Sequence, residues 1–129
     1  MKNYKELEVW QKALDLTAEV YKLTCHFPDE ERFGLTAQIR RAAVSTAANI
    51  AEGWGRGTTR EYIQFLFVSR GSLMEVETHG IIARRLSYLS EAQILGLEAR
   101  VEEVGRMLNG LIQSLRNRPL ARRSSTTNP

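Results

Sequence analysis

Apolar residues recur every three or four positions along most of the chain, and this helical periodicity constrains the fold more than any other feature. In residues 7–27 two such stripes run side by side: Leu7, Trp10, Leu14, Thr17, Tyr21 and Thr24 beside Val9, Ala13, Leu16, Val20, Leu23 and Phe27. Two adjacent stripes make a wide apolar face, which is typical of a helix packed in a bundle. No segment has the period of two that predicts a β-strand.

Start and stop signals divide the sequence into four predicted helices, over residues 5–26, 35–52, 59–89 and 91–116. Pro28 ends the first helix, because proline cannot donate to the helical ladder. The glycine cluster at residues 53–57 ends the second, and we expect one of its glycines to have a positive φ. Capping boxes at 58–61 and 90–93 begin the third and fourth helices.

The short connections predict an all-α fold, an antiparallel up-down four-helix bundle. We expect its core to contain Leu14, Leu66, Leu73, Val104 and Leu108. A chain of 129 residues has room for one domain, which we place at residues 1–116, followed by a flexible basic tail at 117–129.

Composition excludes several classes of protein. The single cysteine, Cys25, excludes an internal disulfide framework. No apolar stretch approaches the ~20 residues of a membrane span, and the first residues lack the apolar core of a secretory signal. We therefore expect a cytoplasmic protein with no membrane contact.

Charge is distributed unevenly along the chain. Residues 32–88 carry eight arginines, four acidic residues and no lysine, whereas residues 1–31 carry more acids than bases. One interpretation is salt bridging between the acidic first helix and the basic middle. The other is a surface for a polyanion, because arginine suits bidentate contacts to phosphate.

Two further features have a structural and a functional interpretation. The glycines of residues 53–57 favour a tight entry into the third helix, although Arg56 and Arg60 flank a helix N-terminus that could hold a phosphate. A polar stripe on the second helix is an interface, a solvated face or a catalytic face, in that order of preference. It consists of Gln38, Arg41, Ser45, Asn49 and Glu52.

The sequence predicts no catalytic residue, metal site or cofactor. His26 and His79 lack the paired Glu-x-x-His motifs of bundle metal sites, because only Glu75 lies one turn from His79. Cys25 is interpreted as an unreactive thiol at a helix end.

Several motifs carry a resemblance to a known family. They include Leu7-x-x-Trp10-Gln11-x-Ala13, Gln38-Ile39-x-Arg41-Ala42-x-x-Ser45-x-x-x-Asn49-Ile50-Ala51-Glu52-Gly53, Glu61-Tyr62-x-x-Phe65 and Gly71-Ser72-x-x-Glu75. With them, residues 4–115 resemble the four-helix bundle proteins encoded in intervening sequences of bacterial large-subunit ribosomal RNA genes. That family includes the accessory variability protein of diversity-generating retroelements. The resemblance implies a ring-like homopentamer, nucleic-acid binding and, in the retroelement branch, a reverse-transcriptase partner.

Our leading hypothesis is a non-catalytic oligomer that binds RNA or DNA through arginines. The candidate binding residues are Arg40, Arg41, Arg56, Arg60, Arg84 and Arg85. The competing hypothesis is a protein–protein assembly module without a nucleic-acid role, and a small-molecule enzyme comes third.

Overall fold

Four long helices account for most of the chain. The computed structural model describes residues 3–118, and within them it contains no β-strand. The helices are α1 (Glu8–Thr24), α2 (Leu35–Trp54), α3 (Thr59–Arg85) and α4 (Glu91–Arg116), with 3₁₀ turns at Tyr4–Glu6 and Asp29–Glu31. The all-α prediction is confirmed, and most of the predicted tail at 117–129 lies outside the described residues. No helix in residues 3–118 is long and apolar enough to cross a membrane.

Contacts between successive helices show that they run antiparallel. Between α1 and α2, residue 17 contacts residue 43 and residue 24 contacts residue 40. Between α2 and α3, residue 46 contacts residue 69 and residue 53 contacts residue 62. Between α3 and α4, residue 73 contacts residue 105 and residue 80 contacts residue 97. In every pair of helices one number rises as the other falls. Helix α1 also packs against α4, where Lys12 pairs with Glu103 at 3.6 Å. The four helices therefore close into a bundle.

Helices α2 and α3 make the most extensive contact in the bundle. The Ser69 hydroxyl donates a 2.7 Å hydrogen bond to the Thr46 carbonyl oxygen, and both residues are fully buried. At Gly53 a Cβ atom would lie 2.8 Å from the Phe65 Cβ, a distance that real Cβ atoms essentially never show, and 3.2 Å from the Tyr62 carbonyl oxygen. The α2 sequence is rich in small residues because larger ones would separate the two helices.

The second helix ends differently from the prediction. It continues through Gly53 to Trp54, and none of the described glycines has a positive φ. Gly55, the capping residue, has φ −79° and donates to the Ala51 and Glu52 carbonyls. The glycine at position 53 is therefore required by the close approach of α3 and not by backbone conformation. Half-buried Trp54 packs edge-on against Tyr62, with the two ring centres 6.2 Å apart.

The third helix ends at Arg85, four residues before the predicted end. Ser87 has φ 66°, the Tyr88 N–H donates to the Ala83 carbonyl at 2.8 Å, and the Ser87 N–H donates to the Arg84 carbonyl at 3.0 Å. This pair of bonds is a Schellman motif, which usually has glycine at its left-handed position. Because serine occupies that position here, the helix end is not visible in the sequence. The predicted caps at Thr58 and Ser90 are confirmed.

The prediction that Leu14 belongs to the core is wrong. Leu14 is 41% exposed, whereas Leu66, Leu73, Val104 and Leu108 are at most 3% exposed. Helix α1 contacts only α2 and α4 among the long helices, so it fully buries one of its two stripes, the one running from Val9 to Leu23. The stripe that contains Leu14 lies on the flank of the bundle.

Replacing Gly53 by alanine tests the close contact between α2 and α3. We expect Gly53→Ala to lower the free energy of unfolding by about 1–3 kcal/mol, since the new methyl group must displace packed atoms. Gly71→Ala is the matched control, because Gly71 is an exposed α3 residue whose Cβ would meet nothing within 4 Å. That control should gain about 0.5–1 kcal/mol from alanine's higher helix propensity. Urea denaturation measures both, and equal effects of the two substitutions would contradict the packing account.

Candidate nucleic-acid interface

The six arginines predicted to bind nucleic acid do not form one surface in a single chain. Arg56 and Arg60 lie at the end of the bundle where α3 begins, and Arg84 and Arg85 lie where it ends. At 1.5 Å per residue the two pairs are about 35 Å apart. Arg40 and Arg41 lie on α2 between these ends.

Arg56 is engaged within its own turn. Its Nη1 donates to the Glu52 carboxylate at 3.1 Å, its Nη2 lies 3.8 Å from the Glu61 carboxylate, and its guanidinium lies 5.0 Å from the centre of the Phe65 ring. Two carboxylates beside one guanidinium cancel the positive potential that a phosphate would need at this turn. Arg60, in contrast, is exposed and has no ion-pair partner among residues 3–118.

Arg40 holds α1 against α2. Its Nε donates a 2.8 Å hydrogen bond to the Thr24 hydroxyl, and its guanidinium lies 4.4 Å from the centre of the Tyr21 ring. The side chain is half-buried. These contacts give Arg40 a structural role in the monomer, since the cation–π pair and the hydrogen bond both join neighbouring helices.

Arg41 is exposed and lines a polar groove between α2 and α3. The groove has a volume of about 410 Å³ and is also lined by Gln38, Ser45, Glu75 and His79. One cation and one carboxylate share this groove, so the groove as a whole does not select for an anionic ligand. Arg41 itself forms no ion pair among residues 3–118, and its guanidinium stays available at the surface.

The arginines at the C-terminal end of α3 differ from each other. Arg84 Nη1 donates to the Leu89 carbonyl oxygen at 3.3 Å, which holds the side chain over the connection to α4. Arg85 is exposed and has no ion-pair partner among the residues described.

The polar stripe of α2 divides into an inner and an outer part. Ser45 and Ser72 share a 2.8 Å hydrogen bond across the α2–α3 contact, and Asn49 Nδ2 donates to the Ser45 carbonyl and hydroxyl oxygens at 2.9 and 3.0 Å. These half-buried groups join two helices of one chain. Gln38, Arg41 and Glu52 are exposed.

Glu31 lies at the end of the bundle where α2 begins and α3 ends, and it binds residues from both places. One carboxylate oxygen accepts from the Leu35 N–H at 3.0 Å, and the other accepts from the Tyr88 hydroxyl at 2.9 Å. The hydrogen bond to this carboxylate raises the pKa of Tyr88 above its ordinary value, because an ionised Tyr88 would lose the bond and face a second negative charge. The contact secures the start of α2.

Neither histidine nor the cysteine lies in a recognisable reactive site. No group of three or more His, Cys, Asp or Glu side chains that could hold a metal occurs within residues 3–118. Cys25 is exposed at the end of α1, and half-buried His79 lies beside the groove of Arg41.

Sequence reasoning missed a cluster of two arginines and an aromatic ring between α3 and α4. The guanidiniums of Arg70 and Arg116 lie 4.7 and 5.1 Å from the centre of the Phe67 ring. The available signal was the absence of acidic residues from 62–74 and from 104–118. That signal appears only when the two helices are compared side by side.

Exposed apolar residues of α1, of α2 and of the connection between them line one groove on the outer face of α2. Phe33 is 86% exposed and Val44 is 45% exposed, and with Tyr21 they line a groove of about 830 Å³. Exposed apolar groups clustered around one groove are typical of protein interaction surfaces.

Comparisons with known proteins agree with this fold. A family described as 23S rRNA-intervening sequence protein matches residues 5–110. A crystal structure of a protein with unknown function, from the S23 ribosomal protein family and from Bacteroides thetaiotaomicron, superposes with a TM-score of 0.76. It is 23% identical and the match covers 81% of this chain and 95% of that one, so it shows similarity of fold alone. No curated protein matches the chain.

Proposed function

The chain belongs to the 23S rRNA-intervening sequence protein family, and from this premise we propose that it is a non-catalytic homo-oligomer that binds the backbone of structured RNA or DNA. The single observation that carries the proposal is that three of its arginines are exposed and form no ion pair within the described residues. Arg41, Arg60 and Arg85 are exposed, and none of them pairs with a carboxylate among residues 3–118. Free guanidiniums of this kind favour phosphate contacts without sequence preference.

Self-association strengthens such binding. Each free arginine then occurs once per copy, and weak contacts act together because the copies are held at a high effective concentration. The resemblance to the bundle family implies five copies. The retroelement branch of that family suggests a reverse transcriptase as a candidate protein partner.

A second candidate function is a protein–protein assembly module without a nucleic-acid role. The exposed apolar groove of Phe33, Val44 and Tyr21 favours it, because such a surface suits another protein better than a phosphate backbone. The two functions differ in their response to salt.

The salt dependence of binding tests the nucleic-acid proposal. We expect the protein to bind an RNA hairpin or a DNA duplex with a micromolar Kd at about 50 mM salt. A plot of log affinity against log salt should have a slope of about −3 or steeper, since at least three arginines per chain are free to displace counterions. Fluorescence anisotropy of a labelled hairpin measures both quantities. Absence of binding at the low salt concentration would favour the assembly module.

Sedimentation equilibrium tests the proposed self-association. We expect an oligomer at micromolar concentration, and we expect Val44→Asp to shift it toward the monomer because the charge lies on the outer face of α2. Leu95→Asp is the matched control, since Leu95 is 57% exposed on α4. A wild-type protein that sediments as a monomer would remove the oligomer from the proposal.

A further inference from the structure

Two helix segments that contact each other contain arginines and no acidic residue. They are residues 62–74 of α3 and residues 104–118, which comprise the last part of α4 and the two residues after it. Arg70 Nη1 donates to Asn109 Oδ1 at 2.9 Å, and Leu73 lies against Gly105, so the segments meet along their length. The cations of these segments are Arg70, Arg106, Arg116 and Arg118. No carboxylate lies within the segments, but Glu77 and Glu102 line the α3–α4 groove beside Arg70 and Arg106, so the positive potential is least offset toward Arg116.

Phe67 holds two of these cations in place. Its half-buried ring lies 4.7 Å from the Arg70 guanidinium of α3 and 5.1 Å from the Arg116 guanidinium of α4. The two guanidinium carbons are therefore at most about 10 Å apart, a separation that a short stretch of nucleic-acid strand spans. Contact with one ring restricts both side chains, so less conformational freedom is lost when a ligand binds.

Most of the hydrogen-bonding capacity of this pair is unused. A guanidinium has five N–H donors, and Asn109 accepts from one of those on Arg70. Neither Arg70 nor Arg116 pairs with a carboxylate anywhere in residues 3–118, and Arg116 is exposed. Arg56 at the glycine turn differs, because two carboxylates already surround it.

The chemistry of this pair suits a phosphodiester backbone better than an acidic protein. The planar guanidinium matches a phosphate with two parallel hydrogen bonds. A nucleic-acid strand repeats its phosphates every few ångströms, so many registers along the helices bring two phosphates to the two arginines. An acidic peptide would need carboxylates placed at one particular spacing.

We propose that Phe67, Arg70 and Arg116 form the main phosphate-binding surface of this protein. We call these three residues the α3–α4 arginine surface. The inference rests on the proposed function and assigns its principal contact to a face that contains none of the six arginines predicted from sequence. Arg70 and Arg116 bind backbone phosphates, and Phe67 is a positioning residue that holds their guanidiniums.

The double substitution Arg70→Gln with Arg116→Gln tests the assignment. With a labelled RNA hairpin at about 50 mM salt we expect affinity to fall about tenfold or more, because two phosphate contacts are lost. The slope of log affinity against log salt should become shallower by about two, since each lost phosphate contact removes about one unit. Arg70→Lys with Arg116→Lys keeps the charge and should lose affinity only severalfold, through the loss of the planar fork.

The matched control is Lys22→Gln with Arg100→Gln. Both residues are exposed helical cations, and they line a groove together with Asp15 and Glu19. The control removes the same charge from an acidic environment, so affinity should stay within about threefold and the salt slope should not change. Thermal unfolding followed by circular dichroism shows whether each variant is folded. Phe67→Leu keeps both arginines but releases them from the ring, so affinity should fall severalfold while the salt slope stays unchanged.

The outcomes separate the inference from the proposed function. No salt-dependent binding by the wild-type protein would overturn both. Wild-type binding that the Arg70→Gln, Arg116→Gln protein retains, with an unchanged slope, would overturn the surface alone. A larger loss in Arg84→Gln with Arg85→Gln would move the contact to the other end of the bundle. Competition by poly-glutamate as strong as that by unlabelled RNA would overturn the nucleic-acid assignment in favour of an acidic protein partner.

Discussion

The close contact between α2 and α3 is the constraint on which the rest of the structure depends. At Gly53 the α2 backbone approaches Phe65 and Tyr62 so closely that a Cβ atom at this position would have to displace packed atoms. Further along, the buried Ser69 hydroxyl bonds to the Thr46 carbonyl, and Ser45 bonds to Ser72. The hydroxyl groups of Ser45, Ser69 and Ser72 all have protein partners in this contact, so they are buried without the cost of an unsatisfied group. The small and polar character of α2 follows from this contact.

That contact also determines which surfaces remain available. Because α3 buries one side against α2, its other side meets α4, and the acid-free segments of α3 and α4 come together there. The acidic residues Glu52 and Glu61 lie at the α2–α3 turn, where they surround Arg56. Within the basic region of residues 32–88, Arg56 is thus neutralised at the turn, whereas Arg70 joins Arg116 of α4 in the α3–α4 arginine surface. A total charge of +3 does not describe this division.

Much of the fold could be predicted from periodicity and capping residues, but the details that depend on packing could not. The number of helices, the caps at Thr58 and Ser90 and most core positions follow from local patterns. The end of α3 could not be predicted, because Ser87 adopts a conformation that usually requires glycine. Among the candidate site residues, Arg56 and Arg40 are held by groups from other turns or helices. The shared contact of Arg70 and Arg116 with the Phe67 ring joins positions far apart in sequence, and no local pattern encodes it.

The central claim is that nucleic acid contacts the α3–α4 arginine surface, and an NMR titration tests it most directly. The Nε–H resonances of the arginine side chains are followed while an RNA hairpin is added to the full-length protein. The account predicts that the Arg70 and Arg116 resonances shift first and furthest, since their guanidiniums bind the phosphates. The resonance of Arg56 should change little, because two carboxylates already hold it. Unchanged Arg70 and Arg116 resonances at saturating RNA, with the largest shifts at Arg84 and Arg85, would contradict the account.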